Sequence, residues 1–222
     1  MDIWRTLVTL ASAYLLGAVP FGFIIVKAFS GKDIRLIGSG RTGGTNAGRA
    51  AGFLAGVVTA VMDFSKAVMA VTIAQFILPD YPWVSAVAGL LAIAGHNYSI
   101  HLLERDQTGT VVLRGGAGGA PFLGAAVGLY FPTLWIVLPI VLIALLIIGY
   151  ASVATLSIGI CSTVIFLVLA INGSSPWEYV GFGVGGIILL VVALIPNIKR
   201  LFQGTERIVG LRAWLKKRKT AE

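Results

Sequence analysis

Long apolar runs alternate along this chain with short polar segments, and the alternation predicts most of its architecture. A membrane-spanning helix needs about 20 mostly apolar residues, and seven runs approach or meet that length. The first covers about Trp4–Phe29, with Pro20 expected to kink it. The second runs from about Ala51 to Leu78 and the third from about Val84 to Leu103. The fourth, about Gly118–Phe131, is short and glycine-rich, and Pro132 closes it. The remaining three cover about Leu134–Tyr150, Val153–Ile171 and Tyr179–Pro196. A re-entrant fourth run would lower the count to six. The first run exceeds the roughly 7–15 apolar residues of a secretory signal core, so it reads as a membrane helix.

The basic residues choose between these counts. With the N-terminus outside and alternating helices, inner segments hold all but two of the 17 Lys and Arg, the exceptions being Arg5 and Lys66. The outer connections Pro79–Trp83, Phe131–Thr133 and Asn172–Tyr179 hold none. Positive residues accumulate on the cytoplasmic side, and six helices would place the basic tail outside. The expected fold is therefore an all-α integral membrane protein with seven helices, N-terminus outside and C-terminus cytoplasmic. It forms a single domain over residues 1–222, with a basic amphipathic tail from about residue 205.

Composition agrees: 57% of the residues are hydrophobic and only 12% charged, against about 25% charged in soluble domains. A net charge of +8 raises nucleic acid as a partner, but the charges flank apolar segments in the pattern of a membrane protein. The single Cys161 excludes an internal disulfide and a cysteine metal cluster, and His96 and His101 do not form a zinc pattern.

The polar segments carry the chemistry. Gly38–Arg49 reads GSGRTGGTNAGR. Glycines such as Gly38, Gly40 and Gly43 let the main chain turn and bring N–H groups close to an anion. Ser39, Thr42, Thr45 and Asn46 add donors, and Arg41 and Arg49 add charge suited to phosphate. The stretch also matches GxGxxG, with Asp63 twenty residues after Gly43, but a dinucleotide site needs a strand before and a soluble helix after it. Both flanks here are membrane runs. A second segment, Arg114-Gly115-Gly116-Ala117-Gly118-Gly119, is either another anion nest at a helix start or a site of close helix packing. Asp63 and Lys66 share one face of the second run. Charges inside a membrane usually face the bundle interior, so they form a structural ion pair or a functional one. His96 is a hydrogen-bonded structural group or the one imidazole base near the site. Asn197 and Glu206 sit where the last run meets the cytosol, and Leu211–Lys219 is suited to anionic headgroups.

Together these segments resemble the bacterial acyl-phosphate-dependent glycerol-3-phosphate acyltransferases. GSGRTGGTNAGR is similar to that family's GSGNxGATNxxR, MDFSK to its DxxKG, Gly95-His96 to its GHxFP, RGGAGG to its GGKG loop, and NIKRLFQGTE to its NIxRLxxGxE. The resemblance implies seven membrane helices, a cytoplasmic-face site in a bacterial inner membrane, and formation of lysophosphatidic acid in phospholipid synthesis. Glycerol 3-phosphate, acyl phosphate and membrane lipids are the implied partners; no cofactor, metal or nucleic acid is. Carried over by position, Ser39 and Arg49 would bind glycerol 3-phosphate with help from Asn197. The backbones of the two glycine loops (Gly38, Gly40 and Gly43; Gly115, Gly116 and Gly118) would hold the acyl phosphate. Arg41, Thr45, Asn46, Arg114 and Glu206 complete the expected binding set.

The chain departs from the family pattern at several positions. Ala117 stands where GGKG has lysine, and Leu194 where a histidine precedes the asparagine of the last motif. Ser99 replaces the GHxFP proline, and Arg41 the asparagine of GSGN. The stretch from His96 to the second glycine loop is about nine residues longer than usual. Arg41 or Arg114 is the expected substitute for the lost lysine charge. Two rival readings are a paralogue without catalysis that binds lipid or a partner, and an organic-anion transporter. A transporter favours inverted repeats and broken helices meeting at mid-membrane, and no internal repeat is visible.

Overall fold

The computed structural model describes residues 2–105 and 108–219; the last three residues of the predicted tail lie outside them. Ten α-helices and one small hairpin make up the described residues: α1 Ile3–Ala18, α2 Phe21–Ser30, α3 Gly44–Ala51, α4 Phe53–Ile77, α5 Pro82–Asn97, β1 Leu103–Arg105, β2 Val111–Leu113, α6 Gly119–Leu129, α7 Thr133–Ile143, α8 Ala151–Ile171, α9 Trp177–Phe202 and α10 Gly210–Lys219.

Several elements differ from the sequence expectation, each for a local reason. The first run breaks completely at Val19–Pro20 into α1 and α2, since Pro20 has no N–H to continue the ladder. The second half of the first glycine-rich segment forms a short helix, α3, separated from α4 by Gly52 at φ 92°. The third run stops at Asn97 rather than Leu103. There the Ser99 hydroxyl accepts from His101 N and donates to the Ala18 carbonyl, and a three-residue hairpin follows with Glu104 opposite Val112. That hairpin is the one departure from an all-helical chain among the described residues. The fifth run continues from α7 into a π-helical turn, Ala144–Ile148, ended by Gly149. The seventh passes through Pro196 to Phe202, which places Asn197 and Arg200 on a helix, one turn apart and on one face.

The helices pack in a closed sequence of neighbours: α1 against α5, α5 against α4, α4 against α6, α6 against α8, α8 against α9, and α9 back against α5. Small residues permit the close approaches, as at membrane helix contacts generally. A Cβ on Gly17 would overlap the Ala92 carbonyl, and one on Gly124 the Phe64 carbonyl. Phe122, Phe166 and Phe182 fill the centre, with Phe182 ring centroids 5.0 Å and 6.0 Å from the other two. Large apolar side chains also cover the outside: Phe53 and Phe76 are 86% and 87% exposed, as befits a surface whose solvent is lipid.

Among the described residues, four helices are long and apolar enough to cross a bilayer: Ile3–Ser30 counted through its break, Phe53–Ile77, Ala151–Ile171 and Trp177–Phe202. The others are shorter. Helix α6, with 11 residues, covers only about 16 Å at 1.5 Å per residue, roughly half the hydrocarbon thickness.

Candidate active site

Three polar segments distant in sequence meet around one cavity of about 470 Å³. The first glycine loop forms one wall, and Asn46 shapes it. Its buried Nδ2 faces the carbonyls of Ile34 (3.3 Å), Ile37 (2.9 Å) and Arg41 (2.9 Å), and its Oδ1 accepts from Ser39 N at 3.2 Å. Asn46 touches the cavity, yet its polar atoms are spent on the loop backbone. The expectation that it donates to substrate is therefore corrected to a shaping role. Gly38, at φ 57°, lies directly against Asn46 Oδ1, and neither Gly38 nor Gly40 reaches the cavity wall. Ser39, Arg41, Gly43, Thr45 and Arg49 do.

The two arginines of this loop sit differently. Arg41 is half-buried and donates through Nη2 to the Ala193 carbonyl of α9. Loss of water and the nearby Arg200 lower its pKa. Arg49, on α3, is lowered by partial desolvation and by Arg207. An arginine starts so high that both stay charged at neutral pH; the shifts mark a place where an anion would relieve desolvated, mutually repelling cations.

Helix α9 and the segment after it supply the opposite wall. Asn197 Nδ2 donates to Glu206 Oε1 at 2.7 Å, and Arg200 Nε donates to Glu206 Oε2 at 3.0 Å. Glu206 is 8% exposed and has an oxygen committed to each partner. It stands in the cavity lining as expected, and since a carboxylate repels phosphate its geometry suits the orienting of these two neighbours. With Nδ2 occupied, the buried Asn197 Oδ1 has no partner within the chain and remains an acceptor.

The second glycine loop divides. Gly116 N donates to the His96 carbonyl at 2.9 Å and Thr42 N to the Gly115 carbonyl at 3.2 Å. A Cβ at Gly116 would overlap His96 Nε2. Gly115 and Gly116 are thus packing positions and stand off the cavity, whereas Ala117, Gly118 and Gly119 line it. Arg114 also stands off it. It pairs with Glu104 at 3.2 Å on the exposed hairpin, a position that favours Arg41 over Arg114 as the cation nearest Ala117. Of the residue departures noted in the sequence, Ala117, Leu194 and Arg41 line the cavity and Ser99 does not.

Beneath this loop lies a buried cluster. Lys66 Nζ is 2.8 Å from Asp63 Oδ1, and His96 Nδ1 is 3.3 Å from the same oxygen. Lys66 also donates to the Val19 carbonyl at 2.9 Å, at the α1–α2 break. All three side chains are at most 4% exposed. The cluster ties α4, α5 and the broken first run together under the glycine loop.

Sequence reading left out four polar side chains of the cavity: Ser152, Thr155, Arg200 and Arg207. The first two share one face of α8, and hydroxyls one turn apart at the end of an apolar helix were the available signal. The Ser152 hydroxyl is buried without a partner. The general positive-inside pattern accounts for Arg200 in the sequence, and that hides its local role. Asp63 and His96 of the buried cluster also touch the cavity, and its remaining arm is apolar, running past Leu123, Leu138, Val141, Leu142 and Ile158 to Leu134.

The family model described as glycerol-3-phosphate acyltransferase matches residues 7–204. The chain belongs to that family. A Thermus thermophilus protein named glycerol-3-phosphate acyltransferase is 35% identical over 210 residues, covering 92% of this chain and 96% of its own length. A Dehalococcoides mccartyi protein named glycerol-3-phosphate acyltransferase 3 is 31% identical over 218 residues, covering 93% and 97%. The crystal structure of PlsY (YgiH), an integral membrane glycerol 3-phosphate acyltransferase in its glycerol 3-phosphate form, matches with a TM-score of 0.80 at 29% identity over 95% of this chain and 98% of that one. Its lysophosphatidic acid form matches at a TM-score of 0.78 and 28% identity, over 93% and 96%. The helical architecture described above is therefore that acyltransferase family's integral membrane fold.

Proposed function

We propose that this chain transfers an acyl group from an acyl phosphate to the 1-hydroxyl of glycerol 3-phosphate, giving lysophosphatidic acid and inorganic phosphate. One observation carries the reading: a single cavity joins a cationic end, lined by Arg41, Arg49 and Arg207, to an apolar arm along α6, α7 and α8. Such a space fits two phosphate groups at one end and an acyl chain at the other.

An acyl phosphate is a mixed anhydride with a good leaving group, so no protein nucleophile is required. The 1-hydroxyl oxygen attacks the acyl carbon, the carbon–oxygen bond to phosphate breaks, and a phosphate oxygen takes the hydroxyl proton. The chain's task is then positioning, which can supply several kcal/mol, together with donors for the developing oxyanion. Arg49 and Arg41 hold phosphate, Ser39 Oγ donates to the acceptor substrate, and Asn197 Oδ1 accepts from a glycerol hydroxyl. The cavity wall at Ala117–Gly119 adjoins the start of α6, whose N-terminus favours negative charge.

The four long helices together with α5, α6 and α7 form seven crossings, with the N-terminus outside. The site faces the cytosol of a bacterial inner membrane, where both phosphorylated substrates are accessible. The charge distribution supports this orientation.

Ala117 and Leu194, facing the cavity where the family pattern has lysine and histidine, favour one rival: a member that binds these ligands without turnover. Purified protein given palmitoyl phosphate and labelled glycerol 3-phosphate, beside Arg49→Ala, decides between them. Labelled lysophosphatidate from the wild type only is the expected result. Retained ligand binding with no product would establish the inactive reading.

A further inference from the structure

Helix α10 lies beyond residue 204, where the family model match ends, and one of its faces is left uncovered by the rest of the chain. Leu211, Trp214 and Leu215 fall at i, i+3 and i+4 and so share one face. They are 53%, 53% and 47% exposed. The start of the helix docks. Arg212 Nη1 donates to the Ile148 carbonyl at 3.2 Å and its guanidinium lies 5.1 Å from the Tyr150 ring centre. Val209 N donates to the Gly149 carbonyl at 2.8 Å. Gly210, at φ 66°, passes so close to the π-helical turn that a Cβ would overlap the Leu145 carbonyl.

Two observations say what covers the exposed face. The helix packs against the π-helical turn, whose neighbours Ile143 and Ile147 are 55% and 68% exposed, apolar surface suited to the bilayer. The segment is also basic, with Arg212, Lys216, Lys217, Arg218 and Lys219 in ten residues and no acid. An exposed apolar face in a segment of basic composition suits an anionic lipid surface.

We propose that α10 is a seat for anionic phospholipid whose occupation holds the rim of the active-site cavity. The link is short. Glu206 and Arg207, which line the cavity, immediately precede the docked segment Ile208–Arg212, and that segment grips the end of the α7 turn whose Leu145 also lines it. Seating α10 fixes both sides of the rim together. The kinetic part rests on the acyltransferase reading; the lipid seat does not.

The test uses full-length protein in nanodiscs of phosphatidylcholine, with and without phosphatidylglycerol. Quenching by brominated lipid, taken as the difference between wild type and Trp214→Phe, reports the depth of Trp214. Quenching should be strong in anionic discs, weak in zwitterionic ones, and reduced by salt. The acyl-transfer rate should be about five- to tenfold higher in anionic discs, in keeping with a few favourable basic contacts. A Leu211→Asn, Leu215→Asn variant of unchanged helicity and melting temperature should lose both responses together. Equal quenching in the two compositions would overturn the seat. Quenching that follows the lipid while the rate does not would overturn its hold on the cavity rim. Absence of acyl transfer in every composition, with Trp214 quenched as expected, would remove the catalytic reading and uphold the lipid seat.

Discussion

Asn197 Nδ2 donates to Glu206 Oε1 at 2.7 Å, and this one bond sets which end of the Asn197 amide faces the cavity. A carboxylate only accepts, so the amide nitrogen must point to Glu206 and the oxygen towards substrate. Glu206→Ala frees Asn197 to rotate and leaves Arg200 without its partner. Acyl transfer should fall roughly 100-fold, the scale of a misplaced catalytic group. Glu206→Gln, which still accepts from Asn197, should recover part of it. Steady-state kinetics on the two variants check this.

The arginines should separate sharply. Arg49→Ala and Arg41→Ala each remove a charged donor from the cavity and should raise the KM for glycerol 3-phosphate or acyl phosphate by roughly 10- to 100-fold. Arg114→Ala breaks only an exposed pair with Glu104 and should stay within about twofold of wild type, as exposed ion pairs contribute little. An inactive Arg114→Ala, correctly folded, would contradict the position assigned to it.

Ala117→Lys introduces a cation where the cavity wall adjoins α6. If an acyl phosphate binds there, its KM should drop by about tenfold, the value of a modest charged hydrogen bond. A rise in KM would mean that the wall contacts the acyl chain instead.

Ser152 offers a clean split between stability and activity. Its buried hydroxyl has no partner within the chain, so Ser152→Ala should leave the melting temperature unchanged or raise the stability by up to about 1 kcal/mol. If substrate supplies the missing partner, kcat/KM falls at the same time. Thermal unfolding and kinetics on one preparation answer both points.

The buried cluster should matter first for stability. Lys66→Met leaves Asp63 charged and uncompensated, which costs about 3–5 kcal/mol when a buried pair is broken. Gly116→Ala should destabilise by about 1–3 kcal/mol, typical of overpacking, because the new methyl meets His96 Nε2. Adding His96→Ala should return part of that second loss. Full additivity of the two substitutions would show that the ring and the glycine do not support each other.

The sequence alone determined the apolar runs, a disturbance of the first of them at Pro20, and the first glycine loop with its arginines. These are local properties: hydropathy, a missing N–H and turn chemistry are carried by adjacent residues. It read α6 correctly as short, but missed α3 and the hairpin and ended the last helix too early at Pro196, because helix ends answer to contacts as well as to local propensity. Only the tertiary structure decided which polar atoms face the cavity. Arg41 reaches a carbonyl 152 positions away, Asn46 turns its amide into its own loop, and Arg114 is drawn off to Glu104. Ser152 and Thr155 join the wall with only their one-turn spacing as a local sign, and Arg207 joins it with none. A polar side chain in a membrane protein faces whichever partner the packing brings within about 3 Å, and that partner is set by helices far apart in the chain.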